Sequence, residues 1–181
     1  MKILFCSNSL RTFLIFRRDV VSYFLKEKGY EVVIVAPEDR RPDPEMGNNT
    51  FKFIPIRMSR GGMNPFSDFR LFLQLMKIYK KEKPDLIFHY TIKPNIYGVL
   101  AAKIRNVPAT AMITGLGYAF QHNDMKSKVA RMLFKTALKI PERVFVLNQE
   151  IYDYVKNNNI LPQERVVLLP GGEGVNLEKF K

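Results

Sequence analysis

The sequence predicts an α/β protein whose core is a doubly wound parallel sheet with helices on both faces, three layers in all. Three observations carry this. Short apolar runs of strand length alternate with longer stretches of helical periodicity along nearly the whole chain. The runs are apolar at almost every position, as in E-V-V-I-V-A (Glu31–Ala36), which suits strands buried on both faces rather than half-exposed antiparallel ones. Finally, the stretch from Pro84 to Phe120 reads as strand (Leu86–His89), helix (Asn95–Arg105) and strand (Ala109–Ile113), one right-handed βαβ unit.

The first strand covers residues 1–6. The loop Asn8-Ser9-Leu10-Arg11-Thr12 leads into a helix from Phe13 to Lys28, with Phe13, Phe16, Val20 and Phe24 at helical spacing. Lys26, Lys28 and Gly29 close it with cations and a C′ glycine. Glu31–Ala36 is the second strand, ended by Pro37, and the polar, proline-containing segment to Thr50 is a loop. Phe51–Ile56 carries Pro55, which places it at a sheet edge. A basic, glycine-containing loop from Arg57 to Pro65 follows. Ser67 is the expected N-cap of a helix from Asp68 to Lys83, with Phe69, Phe72, Leu73, Met76 and Tyr79 on one side. Beyond the βαβ unit come a helix (Met125–Lys139), a strand (Arg143–Leu147), a helix (Gln149–Asn157) and a last strand (Val166–Leu169). The glycine-rich P-G-G-E-G-V-N from Pro170 reads as a flexible exit, so residues 1–169 are expected to form the domain and 170–181 to begin a linker.

At 181 residues, with 46% hydrophobic and 25% charged, the chain is sized and composed for one domain with a substantial core. A single cysteine, Cys6, inside the first apolar run excludes a disulfide framework and a cysteine zinc site, and fits a reducing cytoplasmic setting. The opening apolar run is too short for a signal peptide, and no window approaches the roughly 18 apolar residues of a bilayer span. The protein is expected to be soluble or to lie on a membrane surface. Lys and Arg number 29 against 17 Asp and Glu, a net charge of +12, which favours an anionic partner: nucleic acid, acidic lipid or a phosphorylated substrate.

The loops after the strands of the βαβ unit, His89-Tyr90-Thr91-Ile92-Lys93 and Thr114-Gly115-Leu116-Gly117-Tyr118, fall where open parallel sheets bind ligands. The loop after the first strand, S-N-S-L-R-T, has no glycine, so the fold is Rossmann-like without a dinucleotide fingerprint; a Walker loop is also absent. Thr114-Gly115-Leu116-Gly117 offers bare backbone amides to an anion or sugar hydroxyl, or is simply a tight turn. His89 supplies proton transfer or a hydrogen bond, or is structural; Lys93 supplies a cation for phosphate. No His, Cys or carboxylate cluster has metal-ligand spacing, and no nucleophile elbow is present. Basic segments interleaved with aromatics (Phe13–Lys28, Arg57–Lys83, Lys126–Lys139) suit an anionic membrane surface, or else are helices with apolar cores and solvated cations. No helix-turn-helix or RNA-binding signature supports nucleic acid as the partner.

Several stretches resemble the N-terminal half of retaining glycosyltransferases of the two-domain GT-B fold, in the GT4 group: M-K-I-L-F-C-S-N-S, F-R-R-D-V (Phe16–Val20), G-Y-E-V-V-I-V-A-P, T-I-K-P-N-I-Y-G (Thr91–Gly98), I-T-G-L-G-Y-A-F (Ile113–Phe120) and L-P-G-G-E-G-V-N-L-E-K-F. The T-I-K-P-N and T-G-L-G-Y-A-F pair is similar to bacterial capsule, exopolysaccharide and O-antigen sugar transferases. The resemblance implies a domain that receives a saccharide or lipid-linked acceptor. The nucleotide-sugar would be held by a C-terminal domain, on a helix carrying that domain's E-x7-E motif. It implies no cofactor and no metal, and inactivity of this part alone. Acceptor- or diphosphate-contact roles pass to Asn8, Ser9, Arg17, Lys93, Asn95, Thr114, Gly115, Leu116 and Gly117, with His89 added from its place at a strand end. The glycine pair many relatives carry after the first strand is Asn8-Ser9-Leu10 here. The histidine some place after the fifth strand is Thr114 or Gly115, so no catalytic base is assigned. The alternatives are a GT-B-like sugar-nucleotide epimerase and a stand-alone basic module for nucleic acid or another anion.

Overall fold

The computed structural model describes residues 1–39, 51–59, 62, 64–117, 120 and 122–171. Most of the polar loop before Thr50, Tyr118 of the glycine loop, and the exit stretch and linker from residue 172 lie outside the described residues. Among the described residues, seven strands form one sheet: β1 (Lys2–Cys6), β2 (Glu31–Ala36), β3 (Lys52–Pro55), β4 (Leu86–Tyr90), β5 (Ala109–Ile113), β6 (Val144–Val146) and β7 (Val166–Leu168). The order is β3-β2-β1-β4-β5-β6-β7 and every neighbouring pair is parallel. β1 and β2 are buried along nearly their full length, which their unbroken apolar runs require. β3 pairs only with β2, so Pro55, which has no N–H to give a ladder, sits where none is needed.

Among the described residues, five α-helices connect the strands: α1 (Leu10–Ser22), α2 (Pro65–Glu82), α3 (Val99–Ile104), α4 (Met125–Leu138) and α5 (Gln149–Asn157). A π-helical turn, Tyr23–Glu27, extends α1, and another, Pro94–Gly98, leads into α3. The period-two alternation of the strands sorts the helices into layers. Ile3, Phe5, Val32 and Ile34 pack under α1 through Leu10, Phe13 and Val21. Leu4, Val33, Val35 and Ile87, on the other face, meet α2 and α3. Ala111, Ile113, Val144 and Val146 continue that second face beneath α4 and α5. The three layers are therefore lopsided, because every connection that steps from β3 across to β7 is a right-handed crossover passing over the same side.

Three local readings are corrected. α1 begins at Leu10 rather than Phe13, because the Ser9 hydroxyl accepts the Thr12 N–H at 3.0 Å and starts the helix there. α2 begins at Pro65 rather than Asp68: Asn64 Oδ1 accepts the N–H groups of Phe66 and Ser67 at 3.1 and 3.2 Å, so Asn64 and not Ser67 is the cap. The buried faces also differ from those expected. α1 buries Leu10, Phe13, Leu14, Arg17 and Val21, leaving Phe16 46% exposed. α2 buries Asp68, Leu71, Leu75, Tyr79 and Glu82, leaving Phe69 and Leu73 towards solvent. Both helices carry apolar residues all round, so periodicity permits two phases. The phase adopted is one in which the buried charges meet partners: Arg17 over the Tyr90 ring at 4.2 Å, Asp68 with Lys93, and Glu82 with Lys52.

Candidate functional site

β1 has β2 on one side and β4 on the other, so the connections leaving β1 and β4 diverge and open a crevice at their carboxyl ends. A cleft of about 680 Å³ lies there. Asn8 lines it from the loop after β1, Thr91, Ile92 and Lys93 from the loop after β4, and Thr114, Gly115 and Gly117 from the loop after β5. α2 contributes Asp68, and the start of α4 contributes Lys126 and Ser127. Five of the residues anticipated from sequence, Asn8, Lys93, Thr114, Gly115 and Gly117, thus share one wall-to-wall space.

Its best-defined polar feature is a trio built around a buried carboxylate. Lys93 Nζ donates to Asp68 Oδ1 at 2.7 Å, and the Tyr97 hydroxyl donates to Asp68 Oδ2 at 3.2 Å. The two charged side chains are only 12% and 4% exposed. Burial, with the Asp68 carboxylate beside it, pushes the Tyr97 phenol above its ordinary pKa, so it stays protonated and keeps donating. Asp68 and Tyr97 are functional candidates the sequence reading missed. The available signal was the spacing Asp68-Leu71-Leu75-Tyr79, which places an acid on an otherwise apolar helical stripe.

Thr91, the first residue past β4, has φ +72°, in the left-handed region that β-branched residues avoid. Its carbonyl accepts the Asn95 N–H at 3.0 Å, which turns the chain sharply into the π-helical turn and carries Lys93 and Tyr97 to the cleft. On the cleft's α4 side, Asp124 caps the helix by accepting the Ser127 N–H at 2.6 Å, a bond that holds its carboxyl below the ordinary carboxylate range.

The remaining anticipated residues serve the scaffold. His89 is fully buried beneath the site: Nδ1 faces the Thr110 carbonyl at 3.1 Å and Nε2 the Tyr79 hydroxyl at 3.0 Å. A carbonyl only accepts, so Nδ1 carries the proton and Nε2 accepts from Tyr79; both ring nitrogens are occupied. Burial lowers its pKa to about 4, which keeps the ring neutral. The Cys6 thiol touches Tyr79 at the other end of this network. Ser9, 2% exposed, caps α1 and donates its hydroxyl to Asp39 Oδ2 at 2.6 Å. Arg17, 5% exposed, lies on Tyr90 and Phe13. Asn95 is fully buried and donates to the Met112 carbonyl at 2.9 Å, tying the π-helical turn to β5. Leu116, half-buried, packs against the core cluster that includes α4. His89 and Asn95 are fully buried and Ser9 and Arg17 nearly so, whereas Leu116 is only partly buried. Among the described residues, no group of three or more His, Cys, Asp or Glu could hold a metal ion.

Comparison with known proteins places this architecture. Over 185 residues the chain is 27% identical to the N,N'-diacetylbacillosaminyl-diphospho-undecaprenol alpha-1,3-N-acetylgalactosaminyltransferase of Campylobacter jejuni, covering 99% of this chain and 48% of that protein. Over 115 residues it is 30% identical to the UDP-Gal:alpha-D-GlcNAc-diphosphoundecaprenol alpha-1,3-galactosyltransferase of Escherichia coli, covering 62% of this chain and 29% of that one. The chain therefore spans half or less of these relatives' length. Among solved structures it resembles UDP-N-acetylglucosamine 2-epimerase from Rickettsia bellii, with a TM-score of 0.66, 19% identity, and coverage of 96% of this chain and 45% of that one, a likeness of fold alone. The expected fold, the Rossmann-like half of a GT-B protein, is the one these neighbours share. Residues 2–148 match the glycosyl transferase 4-like family along four-fifths of the chain, and the protein belongs to that family.

Proposed function

We propose that this chain is the acceptor-side domain of a retaining GT-B glycosyltransferase that moves a sugar from a nucleotide-sugar to a saccharide on a lipid diphosphate, in surface-polysaccharide assembly. Residues 1–169 are the acceptor domain in this reading, and 170–181 begin the link to a donor-binding domain. The observation that carries it is the switch-point cleft, in a family member whose relatives act, by their names, on diphosphoundecaprenol-linked sugars. Glycosyl transfer requires a placed acceptor hydroxyl and stabilised charge on the leaving diphosphate. A cleft in one domain with a few polar groups set in it, closed by a donor held in the other, supplies the first.

A lipid-linked acceptor also implies work at a membrane surface, on its cytoplasmic side. No helix among the described residues is long and apolar enough to cross a membrane. Two outward stripes instead support peripheral contact: Phe66, Phe69 and Leu73 on α2, and Met125, Val129 and Met132 on α4, both helices reaching the cleft at their N-terminal ends. Arg70, Lys77, Lys126 and Lys128 are exposed on the same helices. Apolar side chains beside cations suit the headgroup region of an anionic bilayer.

The deciding experiment is sugar transfer. The 181 residues alone are expected to transfer nothing, and the chain joined to its donor domain to glycosylate a lipid-diphosphate saccharide. Turnover by this part alone would sink the half-cleft reading, and turnover of nucleotide-sugar without acceptor would favour an epimerase. Sedimentation with phosphatidylglycerol vesicles should show binding that weakens as salt rises; no binding at low salt would remove the membrane element.

A further inference from the structure

We propose that Asp68, Lys93 and Tyr97 form a subsite for the hydroxyl groups of a neutral sugar ring, and not a clamp for diphosphate. The inference rests on the transferase reading and names what this part of its cleft holds.

Lys93 on its own would be a natural phosphate ligand. Here its ammonium lies 2.7 Å from a carboxylate that is itself almost completely buried. The pair is neutral to an approaching ligand, and a phosphate oxygen drawn to Lys93 would also meet the Asp68 charge across a dehydrated wall, where like charges repel strongly. A sugar hydroxyl has the opposite requirement, because it donates and accepts at once. The trio answers both needs. An ammonium has three donors, of which Asp68 takes one, and an ionised carboxylate has about four acceptor sites, of which Lys93 and Tyr97 take one on each oxygen. Ile92, partly exposed, lines the same cleft and gives apolar surface for the C–H face of a ring.

The trio is not explained by the needs of the fold. Asn64, not Asp68, caps α2. A buried ion pair generally stabilises no more than well-packed apolar residues of the same volume. Asp68 nonetheless occupies the one position of the α2 buried stripe that opens on the cleft, and the strained turn at Thr91 delivers both of its partners to it.

The test is titration of the 181-residue chain with two probes, methyl α-N-acetylglucosaminide and inorganic pyrophosphate, followed by NMR. Asp68→Asn is expected to weaken the saccharide at least about tenfold while pyrophosphate affinity stays constant or rises, since Lys93 is released. Tyr97→Phe keeps the ion pair intact, which preserves the fold if Asp68→Asn does not, and should weaken the saccharide roughly three- to tenfold. Saccharide binding indifferent to both variants would overturn the subsite and leave the transferase reading standing. So would a loss of pyrophosphate binding in Asp68→Asn with the saccharide unaffected, which would make Asp68 the positioner of a phosphate-binding lysine. If the wild-type chain does not bind the saccharide, the subsite falls, while the transferase reading stands or falls by the sugar-transfer experiment.

Discussion

Gly98→Ala is expected to destabilise the protein by about 3 kcal/mol or more, at or beyond the upper end of ordinary overpacking. The added methyl carbon would stand 2.3 Å from His89 Cδ2, 2.6 Å from Nε2 and 3.1 Å from the Tyr79 hydroxyl. None of these yields cheaply. His89 is fixed at both nitrogens, and rotating it away strands the Tyr79 hydroxyl and the Thr110 carbonyl in the core. The urea midpoint of the variant measures the effect. Gly115→Ala is the contrast: nothing lies within 4 Å of its added carbon, so a shift within about 0.5 kcal/mol is expected. If the clash is with the imidazole, removing it in Gly98→Ala/His89→Ala should leave a double variant less unstable than the two losses summed. Strict additivity would mean that some other contact explains the glycine.

The second large effect is on pH. Burial holds His89 near pKa 4, against 6.5 for an unperturbed histidine. Between these values the unfolded chain binds a proton that the folded protein refuses, so stability rises with pH across the window. The His89 contribution is complete above about pH 6.5 and is lost as pH falls towards 4, in total about 3 kcal/mol. Denaturation at a series of pH values should show this slope, and His89→Gln should flatten it while retaining an acceptor and a donor. The other histidine, His122, is exposed and stays in both proteins as an internal control. An equal slope in the variant would assign the acid sensitivity to other groups.

Strands were the most legible part of the sequence. A strand covered on both faces must be apolar at nearly every position, and its shortness and β-branched residues separate it from a buried helix; β1, β2 and β5 were found within a residue of their observed bounds. The loops that follow strands were legible for the same reason, which is why Lys93 and Thr114 were both placed at the cleft. Helix faces were not. Phe16 and Phe69 read as core because aromatics usually are, yet Arg17 and Asp68 hold the inward positions. An inward charge depends on a partner far away in sequence, as with Tyr90 for Arg17 and Lys93 for Asp68. Ser9, Asn95 and His89 show a related ambiguity, and for His89 the structural alternative is the one the fold displays. A polar side chain beside a strand end looks the same in sequence whether it faces a ligand, caps a helix or spans two strands, and only the fold decides.

Cys6 turns the buried network into a reporter. It is the chain's sole thiol, it is fully inaccessible, and burial raises its pKa to about 12, so almost none of it is thiolate at neutral pH. A maleimide or an aromatic disulfide reagent should therefore leave the native protein untouched and label it only when the central strand separates from α2. Labelling rate then follows the opening of the sheet's middle, one molecule at a time, with no engineered tag.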